Sequence, residues 1–331
     1  MASKNKKRLL FGLKILLATA VIGLLVGSGQ LDFTRVAFAF RDGPAWIAMA
    51  AVCLLSTIFI TSLRWQFLLK AQDLNITYWN TVRLTFVGGF FSTFMPGGTG
   101  GDIAKAYYVW DTGEKRTAAV TTVFLDRIVG LYAMLAFASA MALLQSKILW
   151  SIPEARPLLI CVPSAFIIAT ICICIVFTPP VRSLLTTERN GLMGRVTQAC
   201  NKIYDALLMY SNCKMAIVLA LALSLISHVA LSLAFHAFGQ IFGEPIFGIT
   251  RYFLIVPLGM IANGIPILPM GVGQGEAAFS FLYKMLLSSP VGAEATVLFR
   301  CLSIFWMSIG GLFYLSLKGS GFAQANSSAR H

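Results

Sequence analysis

The stretch GGFFSTFMPGGTGGD, running from Gly88 to Asp102, interrupts a greasy segment with six glycines and a proline and closes on an acid. The apolar run that leads into it, 84–95, has twelve residues, about 18 Å of helix at 1.5 Å per residue. That is well short of a hydrocarbon core about 30 Å thick. A second apolar stretch, 254–268, is interrupted by Pro257 and Pro266, with Pro269 just beyond. Each short run is followed by another, 102–110 or 276–287. Two half-helices joined at a Gly/Pro tip make a re-entrant hairpin, so the pattern predicts hairpins over 84–110 and 254–287.

Around these hairpins the sequence is that of an all-α polytopic membrane protein. Of its 331 residues 57% are hydrophobic and only 12% charged, where a soluble domain carries about a quarter charged residues. Six segments are long enough to span: 9–28, 44–63, 117–144, 157–178, 213–239 and 295–317. The first starts like a signal peptide but offers no A-x-A site, so it is read as an uncleaved span. The seven cysteines form no CxxC pair, which implies neither a zinc site nor a disulfide framework and predicts buried thiols.

The net charge of +13 does not point to nucleic acid, because the basic residues form no dense patch with interleaved aromatics. With six spans, two hairpins and both termini inside, seventeen Lys/Arg are cytoplasmic, five are outside and four lie at membrane depth. That asymmetry obeys the positive-inside rule. Full spans in place of the hairpins would carry Lys115 and Arg116 outside. Between spans four and five, Val196, Cys200, Ile203 and Leu207 recur at helical spacing, which predicts an amphipathic cytoplasmic connector over 182–212.

The two tips echo one another. FMPGGTGGD ends at Asp102 and ILPMGVGQGE ends at Glu276, and each tip proline, Pro96 or Pro269, lies 31 residues before an arginine, Arg127 or Arg300. The single transmembrane domain therefore divides into a first repeat, 1–145, and a second, 157–317, with 146–212 containing span 157–178 and the connector. Each repeat has an odd number of spans, so the second is inserted upside down. Interrupted helices at matching places of inverted repeats point to a transport site.

The motifs FMPGGTGGD, Asp126-Arg127 and LPMGVGQGE resemble the lysylphosphatidylglycerol synthase transmembrane-region family, and the resemblance covers nearly the whole chain. That family supplies the flippase domain of bacterial multiple peptide resistance factors. The resemblance implies lipid translocation in a bacterial cytoplasmic (inner) membrane. The family's fused soluble synthase domain has no counterpart in the sequence, and no aminoacyl transfer is expected.

The glycines Gly97, Gly98, Gly100 and Gly101, and Gly271, Gly273 and Gly275, allow close backbone approach and expose amides at a helix start, where phosphate binds readily. Close helix packing is the plainer role for them. No Lys-Ser/Thr follows the glycines, which excludes a nucleotide P-loop. Asp102, Glu276, Arg127 and Arg300 are costly near hydrocarbon. They read either as bracing ion pairs, Asp102 with Arg127 and Glu276 with Arg300, or as a phosphate site with acids as counterions. Inverted symmetry predicts both guanidinium groups on one central cavity.

Lys105 reads as an inner-entrance cation or a snorkelling lysine, Arg64 as a topology anchor, and Asp126 as a group that orients Arg127. Asn263 is placed to satisfy broken-helix amides, and His228, eight residues before His236, to bond a neighbouring helix. No catalytic motif, metal set or cofactor is indicated. The partners expected are a membrane lipid, either a phospholipid or a polyprenyl-phosphate-linked lipid, and a second copy of the chain in a homodimer. A flippase or scramblase leads; a secondary transporter of a small anion and an intramembrane enzyme are the alternatives.

Overall fold

A computed structural model describes residues 16, 19–94, 100–111, 116–176, 210, 213–243, 248–265, 268 and 271–320. Gly97 and Gly98 of the first tip, the connector apart from Tyr210, and both termini lie outside them. Among the described residues every element is helical. After a helical stretch at 19–27 come α1 (Phe33–Asp42), α2 (Pro44–Lys70), α3 (Tyr78–Phe94), α4 (Gly100–Asp111), α5 (Arg116–Leu144), α6 (Ser146–Ser151) and α7 (Arg156–Val176). The chain continues with α8 (Lys214–Ile241), α9 (Ile249–Gly264), α10 (Gln274–Leu287) and α11 (Gly292–Ser320).

Five of these, α2, α5, α7, α8 and α11, contain stretches long and apolar enough to cross a membrane. They fall on the second to sixth of the predicted spans. The protein is an all-helical, multi-pass membrane protein. Hydropathy misplaces one boundary with consequence. It ends the second span at 63, before Arg64, whereas α2 runs on to Lys70 with Arg64 buried inside it. Similarly α3 begins at Tyr78 rather than 84, because its first turns hold Asn80 and Thr81, which are polar yet buried. Its 17 residues still reach only about 26 Å.

The short helix α1 has no apolar run to announce it. Asp32 caps it, its Oδ1 accepting the Thr34 amide at 2.8 Å, the usual service of an aspartate at a helix start. The same Thr34 contacts hold the Asp32 carboxyl below its ordinary pKa.

The bundle is built on α2 packed against α8, with Ala50 and Leu54 of α2 and Phe235 and Phe238 of α8 in the largest core cluster. Helices α3 and α4 form one antiparallel pair, with Gly88 facing Lys105 and Gly101 facing Ser92. Helices α9 and α10 form another, with Gly259 against Phe279, and Arg251 Nη1 donating to the Leu286 carbonyl at 2.6 Å. Each pair also packs across the molecule, α3 on α11 and α9 on α5. The first crossing depends on small residues: a Cβ on Gly310 would strike the Phe86 carbonyl oxygen, and one on Gly89 the Met307 sulfur. This is how helices approach in lipid, where packing rather than water drives association.

The thiols are not buried as expected. Cys161, Cys172, Cys174 and Cys301 are exposed, and Cys53 and Cys213 are half-buried. Cys161, Cys172 and Cys174 sit on α7, which lies at the periphery of the bundle. Apolar flanks there signify a lipid-facing surface rather than a protein core, a distinction hydropathy cannot make.

Candidate functional site

Both motif acids meet their own motif arginines, in two very different settings. At the second tip, Glu276 is fully buried and Arg300 nearly so, with side-chain exposures of 1% and 16%. Arg300 Nε donates to Glu276 Oε1 at 2.5 Å, and its Nη2 donates to Asn263 Oδ1 at 3.0 Å and to the Gly271 carbonyl at 2.7 Å. The other carboxylate oxygen of Glu276 accepts the Gly273 amide at 2.7 Å. Gly271 and Gly273 have φ of +67° and +85°, a region that side-chain-bearing residues rarely enter. A Cβ on Gly275 would collide with Asn263 Oδ1. The helix start that an external anion would use is therefore already occupied by the protein's own carboxylate.

Gln274, which no motif argument singled out, locks the same turn. Its Nε2 donates to the Ala262 and Ile265 carbonyls at 2.6 and 2.7 Å. The only hint in the sequence is an amide directly after a turn glycine, which is too common to be diagnostic.

At the first tip, Arg127 Nε lies 2.5 Å from Asp102 Oδ2, and the two side chains keep 52% and 30% of their surface exposed. They close one end of a groove of about 360 Å³ between α4 and α5. Its walls are otherwise apolar: Ile103, Tyr107 and Trp110 from α4, and Val120 and Phe124 from α5, all exposed at the protein surface. Arg300 is not part of the lining of this groove. Each arginine stays with its own helix pair.

Inside the bundle, behind that groove, lies a charged cluster that the sequence reading assembled incorrectly. Arg64 is no interfacial anchor. It is buried, with Nε 2.7 Å from Asp126 Oδ1 and Nη1 donating to Ser224 Oγ at 3.1 Å, which joins α2, α5 and α8. Asp126 accordingly faces Arg64 and does not orient Arg127. Gly130 makes room, since a Cβ there would come within 2.9 Å of Arg64 Nη1. One turn along, His228 Nε2 meets the Gly130 carbonyl at 3.2 Å, the interhelical bond expected of it.

Lys105 does not snorkel. Its stem lies on Gly88, where a Cβ would be 2.9 Å from Cγ, and its ammonium sits over the Trp65 ring, 4.7 Å from the centroid, a cation–π contact. Among the described residues no group of three or more His, Cys, Asp or Glu is placed to hold a metal.

This architecture of apolar spans, Gly/Pro-interrupted helix pairs and motif ion pairs agrees with comparison to known families. The model described as the lysylphosphatidylglycerol synthase TM region matches residues 11–311. The chain belongs to this family. No curated protein matches it significantly. In this lysylphosphatidylglycerol synthase TM-region protein, the motif residues are legible in the sequence, whereas Arg64 becomes a site residue only once α2 is seen to carry it inside.

Proposed function

We propose that this protein moves a lipid with an anionic or phosphate-containing headgroup between leaflets, as a flippase or scramblase and without chemical conversion. The observation that carries the reading is the half-exposed Arg127–Asp102 pair at the end of an apolar groove that opens on the outer surface of the helices. A groove of this kind suits acyl chain along its walls and an anion at its charged end. Arginine adds a planar fork that holds two phosphate oxygens. Family membership supports a membrane-lipid role.

The reading includes inverted repeats, with α3–α4 and α9–α10 as re-entrant hairpins from opposite sides, and a bacterial cytoplasmic membrane with both termini inside. It is supported by matched packing: α3 on α11 parallels α9 on α5, and α2 on α3 parallels α8 on α9. Arg127 then lies about 16 Å along α5 from the inner end at Arg116, near the middle of a core about 30 Å thick. The test is reconstitution into liposomes with fluorescent phosphatidylglycerol and quenching of the outer leaflet. Protein-dependent loss of the protected fraction is expected. Retention of that fraction with phosphatidylglycerol and with a polyprenyl phosphate would overturn the reading.

A further inference from the structure

The two helix pairs share one packing scheme and fill it differently. Lys105 stands three residues after Asp102, and Phe279 three residues after Glu276. Each side chain lies against a glycine of its partner helix, Gly88 or Gly259, and against a ring of the next helix in, Trp65 or Phe235. Phe279 stacks on Phe235 with centroids 4.5 Å apart and planes 7° from parallel. Directly before the motif arginines stand Asp126 in one half and Phe299 in the other, and Phe299 also meets Phe235, at 5.3 Å. The residue before Trp65 is Arg64, and the residue before Phe235 is Ala234. Where the second half has Ala234, Phe279 and Phe299, the first has Arg64, Lys105 and Asp126.

The second half shows what the scaffold alone requires at these places, which is apolar packing. At the same places in the first half Arg64 and Asp126 satisfy one another as a closed pair, whereas no ion pair holds Lys105 among the described residues, and its charge serves something else. The balance of charges says what. Asp102 interacts electrostatically with Lys105 as well as Arg127, and Lys105 with Arg64 and Asp126. Three cations against two anions leave one positive charge. The Lys105 ammonium, with three N–H donors, has no hydrogen-bond acceptor among the described residues; its recorded contact is the face of Trp65. A half-buried cation in that state is stabilised by an arriving anion.

We infer that the substrate site lies in the first half alone, is completed by Lys105, and takes a singly charged phosphodiester. The inference rests on the lipid-translocation reading only for the source of that phosphodiester, a lipid headgroup. One negative charge neutralises the cluster. A phosphomonoester or lipid pyrophosphate overshoots it, and a headgroup with no net charge leaves it uncompensated.

The test is calorimetric titration of the full chain in detergent at about pH 8, where a phosphomonoester is doubly charged. The probes are dihexanoyl phosphatidylglycerol, phosphatidic acid and phosphatidylcholine, with deacylated glycerophosphoglycerol as the soluble counterpart. Phosphatidylglycerol is expected to bind at least about tenfold tighter than each of the others, and Lys105→Gln to weaken it about tenfold. Phosphatidic acid binding as tightly, or Lys105→Gln binding phosphatidylglycerol like the parent, overturns the inference. Equal binding of glycerophosphoglycerol overturns the lipid source. The selectivity of the unaltered protein decides the matter alone if Lys105→Gln fails to fold. Transfer in liposomes is scored separately. Selective binding without transfer rejects the flippase reading and leaves the site, while transfer without selectivity does the reverse.

Discussion

Asp126 gives its carboxylate to Arg64, 2.7 Å away on another helix, and not to the Arg127 beside it in sequence. Successive residues of an α-helix point about 100° apart, so Asp126 faces the bundle and Arg127 the groove. One dipeptide thus serves two separate pairs, one closed and structural, one open and accessible.

The closed pair is expected to behave as a fold determinant. Asp126→Asn or Arg64→Met leaves a buried charge without its partner, at a cost of about 3–5 kcal/mol. The double substitution Arg64→Met with Asp126→Leu removes both charges and is expected to recover most of that loss. Thermal unfolding of the purified protein reads all three variants. A double variant no more stable than the singles would show that the pair holds more than itself together.

The two motif arginines are expected to separate in their effects. Arg300→Lys loses the fork that reaches Glu276, Asn263 and Gly271 together and is expected to destabilise the protein by about 2 kcal/mol. Arg127→Lys keeps a cation beside half-exposed Asp102, so its melting temperature is expected to stay within a degree or so while lipid transfer falls about tenfold. Equal loss of stability in both variants would make Arg127 a second brace.

Sidedness tests the hairpins directly. In a cysteine-free background, Asn75→Cys before α3 and Asp111→Cys at the end of α4 are expected to react with a membrane-impermeant maleimide from one side. Thr250→Cys at the start of α9 and Pro290→Cys after α10 are expected to react from the other. Labelling of Asn75→Cys and Asp111→Cys from opposite sides would make α3–α4 a full crossing and remove the inverted arrangement.

Much of this was legible in the chain because lipid imposes simple constraints. Length and hydropathy locate α5, α8 and α11 closely, and repeated spacing singles out Asp102, Arg127, Glu276 and Arg300 as pairs. Tertiary choices were not legible. Hydropathy treats Arg64 as the end of a span, since a charge lowers any window that contains it, and only the position of Asp126 and Ser224 on neighbouring helices makes burial affordable. Nor does a pattern distinguish lipid-facing Cys172 from a core thiol, because both environments are apolar. The unequal exposure of the two motif pairs also depends on packing. Nothing in PGGTGGD against PMGVGQGE announces that Gln274 and Asn263 close the second tip while the Arg127–Asp102 pair stays open along α5.

That openness gives the last prediction. Val120 sits in the wall of the groove, exposed on the outer face of α5. Val120→Trp adds a bulky apolar side chain there without opening a core cavity or burying a polar group, so stability is expected to hold. If a lipid lies along the groove with its anion at Arg127, the indole occupies the acyl path, and transfer is expected to fall at least about tenfold, beyond a barrier change of about 1.4 kcal/mol. Leu131→Trp is the matched control, since Leu131 is exposed on the same helix but does not line the groove. It carries the same indole into the same lipid and is expected to leave transfer unchanged. Both variants are compared as initial rates in liposomes at equal protein incorporation, beside their melting curves. Equal rates for the two would mean that lipid does not travel between α4 and α5, and that the Arg127–Asp102 pair meets its ligand from inside the bundle, on the side where Lys105 lies.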